Sequence, residues 1–89
     1  MEYKELDDLI TSTYKLPRPY EVLAYEELHN DSSKTWAFKK KPLDEWAEAD
    51  IRALKETGKV KHWRTATIMQ DMVNNGVLPE GNFLVEVFW

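Results

Sequence analysis

Lys59, Lys61 and Arg64 stand with His62 and Trp63 in one short stretch, followed by the hydroxyls of Thr65 and Thr67. Cations at this density contact phosphates, because each neutralised phosphate releases counterions, while hydroxyl and amide side chains on a following helix read base edges. Thr65, Thr67 and Gln70 are candidates for that second task, and Lys39, Lys40 and Lys41 extend the positive strip. Against a nucleic-acid footprint, residues 66–75 hold Asp71 and no Lys or Arg. The same stretch suits a second chemistry. Trp and Arg are enriched at protein-binding hot spots, so Trp63 and Arg64 are also candidates for a protein contact.

Other chemistries lack their parts. The two histidines, His29 and His62, fall in separate segments without H-x-x-x-H or H-x-H spacing, and there is no cysteine, so neither a metal site nor thiolate catalysis is expected. Gly58, Gly76 and Gly81 are too dispersed for a phosphate cradle, and Ser12, Ser32 and Ser33 lack a nucleophile-elbow context. Asp7 with Asp8 and Glu45 with Glu48 are paired carboxylates, but on the wet sides of expected helices. The chain is therefore expected not to be an enzyme and to use no cofactor. A small-molecule-binding or catalytic site assembled by folding is the third class.

Charge is distributed unevenly. The formal net charge is −4, yet the acidic residues concentrate before residue 34 and after residue 64, while the segment between them is basic. Opposite faces of that kind select partners by electrostatic complementarity. Glu2, Glu5, Asp7 and Asp8 are expected on one N-terminal helix, suited to a basic surface such as the nucleic-acid channel of a larger protein. The expected function is thus a non-enzymatic interaction protein, a small inhibitor or adaptor. The alternative is a winged-helix-like DNA binder using residues 59–70. The acidic start MEYKELDDLI has no secretory pattern, and no apolar run approaches the ~18 residues of a membrane span. With no cysteine, a reducing, cytoplasmic setting is expected.

These residues must be positioned by a small fold, since 89 residues suffice for one core, giving a single domain over 1–89. Tyr3, Leu6, Leu9, Ile10 and Tyr14 recur at helical spacing and predict a helix over 3–14, stopped before Leu16-Pro17-Arg18-Pro19. Residues 20–28 and 35–39, on either side of the turn formers 29–33, predict a hairpin. Asp44 is placed to cap a helix whose stripe is Leu43, Trp46, Ala47, Ile51 and Leu54, ended by Gly58, with Glu48 and Arg52 paired on the wet side. Thr65 or Thr67 is expected to cap a third helix, the latter with Gln70 as a capping box, over a buried face of Ala66, Met69, Met72 and Val73. A turn at 78–81 then leads into a strand, apolar on both faces, over 82–89. The order α-β-β-α-α-β is a small α+β domain, about three strands covered by helices. Its segment 44–89 resembles, in architecture alone, a helix-turn-helix with a wing.

Overall fold

A computed structural model describes residues 2–16, 19–28, 36–60 and 63–88. The expected element order is found: α1 (Tyr3–Thr13), β1 (Glu21–Leu28), β2 (Trp36–Phe38), α2 (Glu45–Glu56), α3 (Thr65–Asn74) and β3 (Gly81–Phe88). The turn at 29–33, Lys61, His62 and Trp89 lie outside the described residues.

Helix α1 forms on its apolar period and buries Leu6 and Ile10. Tyr14 follows in extended conformation and is itself buried. Helix α2 starts at Asp44, whose carboxylate accepts from the Ala47 N–H at 2.7 Å, satisfying one of the free amides of the first turn. Its buried residues are Ile51 and Leu54, with Ala47 half-buried above them. Trp46, expected in that stripe, is 83% exposed. The reason is angular: 47, 51 and 54 recur on one face, and position 46 lies about 100° away from 47 around the axis. Glu48 and Arg52 do not form the expected pair; among the described residues the ion pair is Lys55 with Asp71.

Helix α3 also departs from expectation at its start. Its N-cap is Arg64, without a side-chain cap bond. Thr65 lies inside the helix, buried, where its hydroxyl meets the Tyr20 hydroxyl at 3.0 Å. Gln70 does not close a capping box with Thr67. Its amide donates instead to the Lys39 carbonyl at 2.7 Å and to Asn74 Oδ1 at 2.9 Å.

The three strands form one sheet in the order β1-β3-β2, antiparallel throughout. The expected hairpin between residues 20–28 and 35–39 is therefore not made, because β3 lies between its two arms. Apolar residues at every second position make β3 the strand best able to fill a central place. Phe83, buried, contacts Tyr25 of β1 at 5.7 Å and Phe38 of β2 at 6.0 Å between ring centroids. These rings join buried side chains of all three helices in one core. Leu84, Glu86 and Phe88 alternate onto the other face, which among the described residues no helix covers.

One link fixes α1 on the sheet and another ties the chain after α1 to α2. Asp7 Oδ1 of α1 accepts the Val22 N–H of β1 at 2.8 Å. At the end of α2 the Lys15 N–H donates to the Leu54 carbonyl at 2.7 Å, and Gly58 turns away with φ +73°. A Cβ on Gly58 would stand 2.3 Å from the Lys15 carbonyl oxygen, whereas one on Gly76, at φ +74°, would meet nothing within 4 Å. Gly58→Ala therefore carries both a left-handed strain and a collision. It is expected to destabilise by about 2–3 kcal/mol, and Gly76→Ala by about 1 kcal/mol. Urea unfolding midpoints of the two variants check this; equal losses would rule out the close approach.

Candidate functional site

Three helices converge on one buried carboxylate. The Tyr14 hydroxyl donates to Asp71 Oδ2 at 2.5 Å, and Lys55 Nζ lies 3.0 Å from the same oxygen and 5.7 Å from the centre of the Tyr14 ring. Burial, then the hydrogen bond to Asp71 and its charge, push the Tyr14 phenol well above its ordinary 10. A phenol held that firmly in its protonated form is no base at neutral pH, and both partners of Asp71 are cationic or donating. The cluster is thus satisfied internally by one hydrogen bond and one ion pair. It forms one wall of an open cleft of about 490 Å³, also lined by Leu43, Ile51, Arg52 and Asn74. The sequence carried a signal for it: Asp71 stands in the run Ile68–Val73, apolar but for Gln70 beside it, where a charge needs a partner.

Of the predicted base-reading residues, Thr67 and Gln70 line one cleft and Thr65 stands apart from it. Thr65 and Gln70 are buried and bonded internally, so their polar groups are engaged within the molecule. Polar type alone did not reveal those internal partners. Thr67, half-buried, shares with Lys41, Arg64 and Phe38 the lining of a second cleft of about 420 Å³. Lys39, Lys40, Lys41, Lys59 and Arg64 are exposed, and Lys61 lies outside the described residues. Most of α3 is buried, from Ile68 through Val73 together with Thr65, so it does not present the free face of a recognition helix. Nor does β3 form a wing, since it is the central strand. Trp63 is half-buried, its ring tilted against Tyr20 at 5.6 Å, beside the exposed Arg64.

The acidic side chains fall on two surfaces, α1 and the β1–β3 pair. Glu2, Glu5 and Asp8 are exposed on and before α1. Asp7 is half-buried and engaged with Val22, so its role is to hold α1 on β1. Pairing of β1 with β3 then adds Glu21, Glu26 and Glu86, all exposed, with Glu86 opposite Ala24 and Leu84 opposite Glu26. The α1–β1–β3 layer has Lys4 as its one cation. Glu21, Glu26 and Glu86 were not singled out from the sequence, since only the strand pairing makes them neighbours.

Among the described residues no three His, Asp or Glu side chains gather as metal ligands, and no helix is long and apolar enough to cross a membrane. Comparison with protein-family models, curated proteins and solved structures finds no match to this chain.

The Asp71 cluster generates a pH dependence. A raised phenol pKa favours the protonated side chain in the folded state. Its contribution is therefore complete below the unfolded value of 10 and declines as pH rises past it. Tyr14→Phe is expected to lose about 1–2 kcal/mol at neutral pH and to show a shallower stability decline above pH ~10 than wild type. Denaturant unfolding at about pH 8 and about pH 11 measures both; parallel declines would remove Tyr14 as the titrating group.

Proposed function

We propose that this chain is a non-enzymatic protein-interaction module, an inhibitor or adaptor that docks by charge complementarity onto a larger nucleic-acid-handling protein. It would act in a reducing, cytoplasmic setting and without a cofactor. The observation that carries this proposal is the joining of two acidic sequence blocks by the β1–β3 pairing, which sets Glu86 between Glu21 and Glu26 of β1 on one sheet face. A layer with so few cations attracts an extended positive surface at a distance and speeds encounter with it. Channels that hold phosphate backbones are surfaces of that kind. The same layer repels a polyanion, so the chain competes with nucleic acid for such a channel rather than binding nucleic acid itself.

The alternative, duplex-DNA binding through Lys59, Lys61 and Arg64, retains exposed cations at Lys59 and Arg64. It lacks the base-reading side chains at Thr65 and Gln70, which are buried.

Affinity capture with the immobilised chain separates the two. Wild type is expected to retain a stoichiometric partner that added duplex DNA or high salt releases. A variant carrying Glu5→Gln, Asp8→Asn, Glu26→Gln and Glu86→Gln is expected to retain none, with an unchanged circular-dichroism spectrum. Retention by that variant, or a partner indifferent to DNA, would sink the proposal. In parallel, fluorescence anisotropy is expected to detect no duplex-DNA binding at low salt. Micromolar binding lost in Lys59→Ala/Arg64→Ala would establish the alternative.

A further inference from the structure

The sheet face turned away from the helices is both apolar and acidic. Phe83 points into the core, so Leu84, Glu86 and Phe88 emerge on the opposite face. In register with them on β1 stand Glu26 beside Leu84, Ala24 beside Glu86, and Glu21 beside Phe88. Phe88 is 61% exposed, and the irregularity between Val22 and Ala24 leaves Leu23 at 49%. A one-sided antiparallel sheet ordinarily turns polar residues outward, so a phenylalanine and two leucines ringed by carboxylates are a poor fit to water alone.

We infer that this face seats an amphipathic helix with a basic rim, supplied by the partner. The inference rests on the function proposed above and locates its contact on the sheet rather than on α1. Charge selects the occupant. Neither β1 nor β3 carries a cation. A second copy of this chain would set Glu21, Glu26 and Glu86 against their own equivalents, and a nucleic acid would meet the same repulsion. An incoming helix with leucine-like side chains along one stripe covers Phe88 and Leu84, and its flanking lysines or arginines reach the three glutamates. An added strand is a worse match, because the Asp7 carboxylate already occupies the Val22 N–H of β1.

A synthetic helix of about 18 residues, leucine on one face and lysine on the other, is the probe. Titrated into the ¹⁵N-labelled protein, it is expected to bind saturably and to shift amides of β1 and β3. Phe88→Ser is expected to weaken binding about tenfold, the loss of one well-packed contact residue. Glu21→Gln/Glu26→Gln/Glu86→Gln is expected to weaken it similarly and to flatten its salt dependence. Glu2→Gln/Glu5→Gln/Asp8→Asn is expected to leave it within about twofold. A peptide of the same composition without an apolar face is expected to bind more weakly than the amphipathic one. Undiminished binding by Phe88→Ser, or shifts centred on α1, would overturn the sheet site while leaving acidic docking intact. Absence of binding, or binding indifferent to both glutamate sets, would overturn the site and the docking proposal together.

Discussion

Phe83 is the side chain through which the three strands hold together. Its ring meets Tyr25 on one neighbour and Phe38 on the other, both as diagonal cross-strand contacts. One buried aromatic that serves two strands requires its own strand to lie between them. The order β1-β3-β2 follows, and with it the separation of the two arms that adjacency along the chain would have paired. Because side chains alternate, fixing Phe83 inward also fixes Leu84, Glu86 and Phe88 outward; a slip of one residue would exchange the two sets. The composition of the uncovered face is thus a consequence of one core contact.

On the other side of the sheet, polar links hold the helices in register. Ionised carboxylates are costly to bury alone, and Asp71 is buried with a hydroxyl from the end of α1 and an ammonium from α2. Each of the three helical segments supplies one member, so a rotation of any helix would leave a charge without its partner. Gln70 and Asn74 bind the backbone of residues 39–41 in the same way, through bonds to Lys39 and Lys41. Side chains that looked available for recognition are the ones that position α3.

How much of this was legible depends on the range of the interaction. The helices, the Asp44 cap, the Gly58 terminus and the strand character of 21–28 follow from local pattern and appear as expected. The two-faced apolarity of 83–88 also marked β3 as central. Strand neighbours were not legible, because Phe83 chooses them across the whole length of the chain. Trp46 was misplaced because a stripe read with generous tolerance includes positions a full step off the buried face. Thr65 and Gln70 were misjudged for another reason. Their partners, the Tyr20 hydroxyl and the Lys39 carbonyl, belong to remote segments that no local motif announces. In the candidate site, the exposure of Glu2, Glu5 and Asp8 was readable from their period in α1, whereas Glu86 joined them through pairing alone.

The two signs of charge do not stand on the same footing once the fold is drawn. The lysine run 39–41 lies against the C-terminal half of α3, because the Gln70 amide donates to the Lys39 carbonyl and Asn74, the last helical residue, bonds both the N–H and the carbonyl of Lys41. That end of α3 has no basic residue in its own last turn. Cations near a helix C-terminus offset the unsatisfied carbonyls, a favourable interaction of up to about 1 kcal/mol at exposed positions. The backbone bonds thus hold part of the basic middle of the sequence near a helix end where positive charge is favourable. In the acidic layer Glu2 at the N-cap and Glu5 in the first turn of α1 stand at the amide end of their helix in the same sense, whereas Glu21, Glu26 and Glu86 lie on strands. Of its carboxylates, Asp7 is tied to Val22 and Glu27 to the Tyr25 hydroxyl, while the exposed remainder faces a layer whose one cation is Lys4. The strand carboxylates have no helix end to offset them, and it is on them that the proposed docking onto a basic protein surface rests.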